Sequence, residues 1–292
     1  EIPGQFNIAT ASRQPGSSFK PIVYAAALAL GYTPETVLFD VPTQFSTLCD
    51  AYGNPKAGVK ESVCYMPENY DGLFRGPVTL RDALAQSLNI PAVKLLYLTG
   101  LGNAITLAQK MGLSTINDPT RYGLSLVLGG GEVTLLELTN AYGVFANNGI
   151  YNKQQGIIEV RDRDDSILEK FTQSEVDVLP ESVTSSISSM LSDNIARTPT
   201  YGADSALYFK DRPVAAKTGT TNDYKDVWIV GYTPSIVIGM WAGNNDNTPI
   251  DKRTAGFVHA PVWRKAMVVA NENKLVEYFP DPLPNTSSKP IL

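Results

Sequence analysis

The sequence predicts an α+β fold in which a central antiparallel sheet is flanked by helices and joined to a mostly helical subdomain. Two observations predict it: helical patterns fill most of the first half of the chain, and strand-like apolar runs gather late. Helices that bracket antiparallel strands are typical of this class. The late segments are apolar runs at 214–216, 227–232 and 235–242, the last two joined by a turn at Thr233-Pro234, and a closing helix at 258–270.

We predict one domain over residues 1–279, with the helical subdomain inserted at about 32–150, and a Pro-rich, flexible tail over 280–292. A net charge of -5 argues against nucleic acid as a partner, because such proteins need a basic face. The longest apolar stretch, Pro21 to Leu30, is about half of the ~20 residues that cross a bilayer. Because the chain begins at Glu1 without a Met, we expect it to be a piece of a longer protein.

In the first part of the chain, residues 5–12 alternate weakly and predict a short strand that runs into the turn Arg13–Gly16. A helix is predicted from near Ser17 to about Leu30, where a glycine follows. Residues 32–76 are rich in Pro, Gly and Asn, and predict loops with short strands.

The middle of the chain carries mostly helical patterns. Thr79-Leu-Arg-Asp resembles an N-terminal capping box and predicts the start of a helix. Residues 149–160 and 167–171 flank a polar turn and predict a β-hairpin. Periodic apolar residues predict four further helices, at 91–99, 102–111, 133–147 and 181–195.

Cys49 and Cys64 lie on either side of a segment rich in turn-forming residues. A zinc site would need more ligands, and the single histidine, His259, lies far away in the sequence. Two free thiols and a disulfide both stay open, and we favour the disulfide, which would indicate an oxidising, extracytoplasmic setting.

Several catalytic classes are disfavoured. His259 stands in Gly-Phe-Val-His-Ala-Pro-Val-Trp, which is typical of the start of a packed helix, so we favour a structural role for it over that of a general base. The glycine-rich phosphate loops GxGxxG and GxxxxGK[ST] do not occur in the sequence. Gly129–Gly131 predicts a tight turn into a helix instead.

Ser17 and Lys20 lie three residues apart at a predicted helix start, in Gly-Ser-Ser-Phe-Lys. Side chains at this spacing share one helix face, so a buried lysine with a lowered pKa can take the proton of the serine. Ser18 lacks this spacing. The pair is a common chance match, and it gains weight only from two further motifs.

The first further motif, Lys217-Thr-Gly-Thr220, continues an apolar run and predicts a strand edge that could bind an anionic, extended ligand. Ser87 and Asn89 form the second. Residues at this spacing would not share a helix face, so they predict a turn between helices that points both polar groups into one cleft. Ser192-Asp-Asn194 spells a similar triplet, but we set it aside as the polar end of a predicted helix.

S-x-x-K, S-x-N and K-T-G in this order resemble the motif set of penicillin-binding proteins and β-lactamases. The longer segments around them are similar to class A penicillin-binding proteins, the bifunctional peptidoglycan synthases. The resemblance implies the penicillin-binding, β-lactamase-like serine transpeptidase fold, an upstream glycosyltransferase domain, a membrane anchor, an extracytoplasmic location and partners in cell-wall synthesis. The similar segments are Arg13–Pro21, Asn69–Lys94, Glu132–Tyr142, Lys217–Pro234 and Ala260–Arg264.

The resemblance also implies catalytic roles. Ser17 would attack the penultimate D-Ala carbonyl of a stem peptide that ends in D-Ala-D-Ala, with Lys20 as the general base. Ser87 would relay a proton to the leaving amine, and Asn89 would hold the donor amide. Lys217 would raise the local positive potential, and β-lactams would mimic the donor and acylate the serine. The resemblance implies no metal and no organic cofactor.

For substrate binding, the resemblance implies that Thr218 and Thr220, with Gly219 between them, bind the terminal carboxylate. The backbone N–H groups of Ser17 and Thr220 would form the oxyanion hole. A D,D-carboxypeptidase, a β-lactamase and a non-catalytic β-lactam-binding sensor remain as alternatives. The long similar segments favour the D,D-transpeptidase, and the intact motif residues argue against a sensor.

Overall fold

The computed structural model of the protein describes residues 6–60, 63–221, 223–251 and 259–282. The helices are α1 (Lys20–Ala29), α2 (Leu80–Ala85), α3 (Asn89–Thr99), α4 (Leu101–Lys110), α5 (Leu135–Ala146), α6 (Glu181–Ser192), α7 (Asn194–Tyr201) and α8 (His259–Ala270). The strands are β1 (Ser12–Arg13), β2 (Val37–Asp40), β3 (Gly76–Thr79), β4 (Val133–Thr134), β5 (Ile150–Asn152), β6 (Glu159–Arg161), β7 (Ile167–Lys170), β8 (Glu175–Asp177), β9 (Ala215–Thr220), β10 (Asp226–Tyr232) and β11 (Val237–Gly243). Short 3-10 turns occupy Gly16–Phe19, Pro119–Arg121 and Leu124–Leu128.

The central sheet consists of β9, β10 and β11, which run antiparallel in the order β11-β10-β9. Every residue of β10 is buried, because helices cover both of its faces. On one face Trp228 joins the main hydrophobic core, and on the other Ile229 packs with Trp263 of α8. A strand buried on both faces is continuously apolar. The predicted antiparallel pairing of 227–232 with 235–242 is confirmed.

Helix α1 lies at the centre of the molecule, and nearly all of its surface is buried. Its small side chains, such as those of Ala25–Ala27, allow α3, α4 and α6 to pack closely around it. The 3-10 turn that precedes it, Gly16–Phe19, packs against β9. The core therefore brings the predicted nucleophile segment and the predicted lysine strand next to each other.

Most other predicted elements are confirmed close to their expected bounds. The helices predicted at 91–99, 102–111 and 133–147 correspond to α3, α4 and α5. Thr79 caps α2, since its hydroxyl accepts the Asp82 N–H at 3.0 Å and donates to the Asp82 carboxylate at 2.6 Å. The favoured disulfide also forms, with the Cα atoms of Cys49 and Cys64 5.7 Å apart.

The strand predicted over residues 5–12 is wrong except at its end. Of the described residues in this range, only Ser12 lies in β1, which pairs with β4. The residues before it turn, because Asn7 accepts the N–H of Ala9 through its side chain and the N–H of Ala11 through its carbonyl. Such local bonds compete with strand pairing.

The hairpin predicted from 149–160 and 167–171 is correct only in part. β6 and β7 pair as expected. The predicted first strand is broken, however, by the polar run Lys153–Gly156, and its first piece, β5, pairs with β8, which was not predicted. The helix predicted at 181–195 ends early, at Ser192, because the next residue caps α7.

The domain bounds, 1–279 with an insertion at about 32–150, stay predictions. Residues 283–292 of the predicted tail, and residue 258 of the predicted closing helix, lie outside the described residues. No single described helix has the length and apolarity of a membrane span; only α3 and α4 taken together reach them, and they are bent by 93° at their junction.

Candidate active site

The cleft forms where the 3-10 turn before α1 lies against β9. Gly16 has a left-handed backbone (φ +56°), and a Cβ atom there would lie 2.6 Å from the Thr220 carbonyl oxygen. A Cβ atom on Gly219 would lie 2.1 Å from the Pro15 carbonyl oxygen. Both positions need glycine because two backbones meet there. The backbone that approaches Gly219 so closely is the chain's own Pro15–Ser18 segment.

Two serines lie on this turn, and the structure distinguishes them. The Ser18 hydroxyl is buried and donates to the Pro15 carbonyl oxygen at 2.6 Å. The Tyr142 hydroxyl donates to the Ser18 carbonyl at 2.7 Å. Ser17 is half-buried, and its hydroxyl makes no hydrogen bond to another described residue. Of the two, Ser17 is therefore the serine whose hydroxyl has no partner among the described residues, and its role as the nucleophile stays a prediction.

Lys20 is fully buried, and the turn that joins α2 to α3 surrounds its amine. Its Nζ atom donates to the Ser87 carbonyl oxygen at 2.7 Å and to Asn89 Oδ1 at 2.8 Å, and it lies 3.5 Å from Ser87 Oγ. Burial, and next the charge of Lys217, lower the pKa of Lys20 well below its ordinary value. A neutral amine has two N–H groups and one lone pair. The two short bonds use both N–H groups, so the lone pair is left to accept a proton.

Ser87 lies between the two lysines. Its backbone is left-handed (φ +62°), which costs a residue with a side chain about 1–2 kcal/mol. This conformation presents two acceptors at once, because the carbonyl accepts from Lys20 and the hydroxyl accepts from Lys217 Nζ at 2.7 Å. The Ser87 hydroxyl keeps its own proton, and it is therefore placed to pass a proton between groups in the cleft.

Lys217 lies on β9 and is 3% exposed. Burial, and next the positive charge of Arg197, lower its pKa to about 7. Arg197 is also buried, and it donates to the carbonyls of Leu191 and Leu207. In the described part of the chain, neither the two cations, Lys217 and Arg197, nor the amine of Lys20 has a carboxylate oxygen within 4.0 Å. Buried positive charge without a carboxylate partner favours an anionic ligand.

Asn89 is held by a network that the sequence analysis missed. Its N–H donates to Asn69 Oδ1 at 2.8 Å, and its Nδ2 donates to the Glu68 carbonyl at 2.7 Å. Asn69 Nδ2 donates at 2.9 Å to each oxygen of the Asp40 carboxylate, which is fully buried. One hydrogen of Asn89 Nδ2 is left for a ligand. The one sequence signal for this network was an aspartate directly after the apolar run Val37–Phe39.

Tyr201, which the sequence analysis did not identify, completes the cleft. It is the last residue of α7, and its hydroxyl oxygen lies 2.7 Å from Thr218 Oγ1 and beside the Ser87 side chain. Burial raises the pKa of Tyr201. The neighbouring Thr200 bonds to the Gln86 carbonyl at 3.3 Å, so this end of α7 contacts both walls of the cleft. The local pattern offered no signal, because an aromatic residue at a helix end is ordinary.

The Gly129–Gly131 run lies behind the nucleophile. Gly129 ends the 3-10 turn Leu124–Leu128 in a left-handed conformation (φ +85°), as a tight turn requires. A Cβ atom there would lie 2.2 Å from the Gly16 nitrogen. The turn was predicted, but its contact with the nucleophile segment was not.

In the described part of the chain, neither feature that was set aside in the sequence bonds to the cleft residues named above. Ser192, Asp193 and Asn194 stand at the junction of α6 and α7, where their side chains bond to Ser188, Ala196 and Ala203 and to Arg81. His259 is the buried first residue of α8, and neither of its ring nitrogens bonds to a described residue.

The chain is similar to known proteins over most of its length. The chain matches the family described as penicillin binding protein transpeptidase domain over residues 4–268. It is 38% identical over 267 residues to penicillin-binding protein 1A of Aquifex aeolicus, which covers 91% of this chain and 34% of that protein. It is 34% identical over 269 residues to penicillin-binding protein 1A of Neisseria meningitidis serogroup A, covering 90% of this chain and 32% of that protein. The chain thus spans about a third of the length of these curated relatives.

Solved structures share the fold. Penicillin-binding protein 1A from Haemophilus influenzae superposes with a TM-score of 0.80 at 27% identity, covering 96% of this chain and 45% of that one. PonA1 from Mycobacterium tuberculosis, solved in complex with penicillin V, superposes with a TM-score of 0.79 at 22% identity, covering 96% of this chain and 75% of that one. The predicted fold is confirmed. With most of its length matched by one domain family and by 1A proteins from several bacteria, the chain belongs to the penicillin-binding protein transpeptidase domain family.

Proposed function

We propose that this chain is the D,D-transpeptidase domain of a peptidoglycan synthase, which cross-links stem peptides through an acyl-enzyme on Ser17. One observation carries the proposal. The buried amine of Lys20, one helical turn after Ser17, has both N–H groups of its neutral form satisfied by the Ser87 carbonyl and Asn89 Oδ1. This arrangement supports a general base whose lone pair is free to act on the serine.

Acylation begins when the Lys20 lone pair takes the Ser17 proton and Ser17 Oγ attacks the carbonyl carbon of the penultimate D-Ala. The backbone N–H groups of Ser17 and Thr220 bind the oxyanion. When the tetrahedral intermediate collapses, the C–N bond to the terminal D-Ala breaks. Ser87 donates its proton to the leaving amine and recovers one from the Lys20 ammonium, so the proton taken from Ser17 leaves with D-Ala.

Transfer then reverses these steps with a different amine. An amine of a neighbouring stem peptide attacks the Ser17 ester carbonyl and gives up a proton through Ser87 and Lys20. The C–O bond to Ser17 breaks, Ser17 Oγ takes that proton, and a new peptide bond joins the two stems. Each cross-link therefore releases one D-Ala and consumes no cofactor.

The donor is bound by groups on both walls of the cleft. The free Nδ2 hydrogen of Asn89 donates to the donor amide. The Thr218 and Thr220 hydroxyls bind the terminal carboxylate beside Lys217, where the absence of a carboxylate within 4.0 Å of Lys217 in the described chain supports an anionic partner. Gly219 joins the two threonines without a side chain that would push β9 off the nucleophile turn.

The whole protein extends the proposal, because the chain spans only about a third of its curated relatives. We place an upstream glycosyltransferase domain and a membrane anchor in the remainder, with this domain on the extracytoplasmic face among other proteins of cell-wall synthesis. The disulfide between Cys49 and Cys64 supports an oxidising location. β-Lactams are proposed as inhibitors that acylate Ser17, which the penicillin V complex of the PonA1 neighbour supports.

The test is a partition experiment with a soluble stem peptide ending in D-Ala-D-Ala, incubated with and without an acceptor amine and analysed by mass spectrometry. We expect a cross-linked product and one released D-Ala per cross-link, with neither in Ser17→Ala. Release of D-Ala with no cross-link at any acceptor concentration would indicate a carboxypeptidase. Loss of a fluorescent penicillin label within seconds, with the stem peptide intact, would indicate a β-lactamase. Penicillin binding with neither turnover nor a covalent adduct would indicate a sensor.

A further inference from the structure

Tyr201 connects the two walls of the cleft. Its hydroxyl lies 2.7 Å from Thr218 Oγ1 on β9 and beside Ser87 on the opposite turn. The residue as a whole is half-buried. The preceding residue, Thr200, donates to the Gln86 carbonyl at 3.3 Å, and this bond holds the end of α7 against the turn between α2 and α3.

The chemistry of the two hydroxyls sets the direction of this hydrogen bond. A phenol, with a pKa of about 10, is a stronger acid than an aliphatic alcohol, and it is the better donor of the pair. When Tyr201 donates to Thr218 Oγ1, the single proton of Thr218 has to point elsewhere. The Thr218 carbonyl accepts from Lys217 Nζ at 3.0 Å. The Thr218 hydroxyl is then a donor with no acceptor among the hydrogen bonds of the described residues.

The surroundings select the acceptor. The Thr218 hydroxyl lies on the same strand as the Lys217 ammonium, and Arg197 lies close enough to lower the pKa of Lys217. A carboxylate is the acceptor that such a field favours. A donor that itself accepts a hydrogen bond is polarised and becomes stronger.

We infer that Tyr201 is a positioning residue: it fixes the Thr218 hydroxyl as a donor to the terminal carboxylate of the substrate, and so sets the preference of the site for donors with a free carboxylate. This inference rests on the proposed function. Tyr201 acts through Thr218 and takes no part in bond making or breaking.

The experiment compares one fluorescent penicillin with its carboxyl-blocked ester. Second-order acylation rate constants are measured for both in the wild-type chain and in Tyr201→Phe, which keeps the ring and removes the hydroxyl. We expect the preference for the free carboxylate to fall about tenfold in Tyr201→Phe, the size of one hydrogen bond to a charged group. The ester rate should fall less than the rate of the free penicillin. Both rates should change less than twofold in the control Tyr97→Phe, since Tyr97 is 70% exposed on α3.

A double-mutant cycle tests whether Tyr201 acts through Thr218. Thr218→Val should lower the preference at least as much as Tyr201→Phe, and adding Tyr201→Phe to it should lower the preference no further. Thr218→Ser restores the hydroxyl and should restore the dependence on Tyr201. Thermal melting identifies any variant that fails to fold. If Thr218→Val does not fold, Thr218→Ser is compared with and without Tyr201→Phe instead.

The outcomes separate this inference from the proposed function. A wild-type chain that neither penicillin acylates would overturn the proposed function and the inference with it. A wild-type chain that is acylated, with an unchanged preference in Tyr201→Phe or an equal fall in both rates, would overturn the inference alone. Additive effects in the cycle would also contradict it, because Tyr201 would then not act through Thr218.

Discussion

Ser87-Leu-Asn89 and Ser192-Asp-Asn194 are nearly the same triplet, yet they occupy different environments. The side chains of the first bond to lysines far away in the chain: Asn89 to Lys20 and Ser87 to Lys217, at separations of 69 and 130 residues. The second triplet bonds mostly within its own neighbourhood. Ser192 donates to a carbonyl four residues back, and Asn194 Nδ2 bonds to a carbonyl nine residues on.

The two triplets differ in the burial of their charged partners. In Ser192-Asp-Asn194 the middle residue, Asp193, caps α7 by accepting the Ala196 N–H at 2.9 Å. Its one charged partner in the described chain is Arg81, with which it forms a partly exposed ion pair at 3.4 Å. Exposed pairs of this kind contribute at most about 1 kcal/mol. In Ser87-Leu-Asn89 the charged partners are buried lysines with lowered pKa values. This triplet becomes a candidate site because the fold brings the buried amines of Lys20 and Lys217 to it.

Removing the basic side chain that bonds to each triplet should give the largest difference in acylation rate between the two triplets. Lys20→Met keeps the length of the side chain and removes the amine, and we expect acylation by penicillin to fall about 10²–10⁴-fold, the usual contribution of a general base. Arg81→Met, which removes the cation beside Asp193, should change the rate less than twofold. Stopped-flow measurement with a fluorescent penicillin provides both rates. Equal losses in the two variants would contradict the assignment of Lys20.

Removing the serine from each triplet should give the next largest contrast. Ser87→Ala removes the proton relay and the acceptor of Lys217, and we expect acylation about a hundredfold slower. Ser192→Ala removes a bond within α6 and should leave the rate unchanged. The same assay decides, with melting temperatures as the check on folding. A Ser87→Ala variant that reacts at the wild-type rate would show that the relay passes through another group.

Removing the support of each triplet should affect stability as well. Asn69→Ala leaves the buried Asp40 carboxylate short of two hydrogen bonds and should lower the free energy of unfolding by about 1–3 kcal/mol. We expect acylation to slow about tenfold with it, because Asn89 loses its anchor. Asp193→Ala, the matched control, should lose about 1 kcal/mol as a helix cap and keep its acylation rate. Urea unfolding and the acylation assay test both, and a normal rate in a folded Asn69→Ala would refute the anchoring role.

Lys217, the buried lysine that bonds to Ser87, should also make the stability of the fold depend on pH. Unfolded lysine holds its proton up to about pH 10.5, while folded Lys217 loses it near pH 7. Between these values the unfolded state binds more protons, so stability rises with pH, and the penalty is fully present below pH 7. We expect the wild type to gain about 1 kcal/mol relative to Lys217→Met between pH 6 and pH 8. Urea unfolding at both pH values measures this gain, and the absence of a relative gain would mean that Lys217 stays charged in the folded state.

The fold was predictable from the sequence where the pattern is local and strong. Val227–Tyr232 is continuously apolar because helices cover both faces of β10, and Thr79 marks the start of α2 by its own capping bonds. The prediction failed where a short polar bond decided the structure. Asn7 turns residues that alternate like a strand, and Asp193 ends α6 and starts α7 within a continuous amphipathic pattern.

The candidate site was predictable to the extent that its chemistry repeats at fixed spacings. Ser17 and Lys20 are spaced by one helical turn, and the motifs Ser87-Leu-Asn89 and Lys217-Thr-Gly219 follow them in the expected order. Tyr201 and Asn69 were missed because their partners, Thr218 and Asp40, lie on other elements. Only the packing of α7 and of the loop after β2 brings these residues to the cleft.

The central claim is that penicillin acylates the hydroxyl oxygen of Ser17. Intact mass spectrometry after treatment with penicillin, followed by peptide mapping, measures this in the wild type, Ser17→Ala and Ser18→Ala. We predict one adduct per chain, mapped to Ser17, lost in Ser17→Ala and kept in Ser18→Ala, whose hydroxyl only bonds to the Pro15 carbonyl. An adduct that persists in Ser17→Ala, or that maps to any other residue of the wild type, would contradict the account.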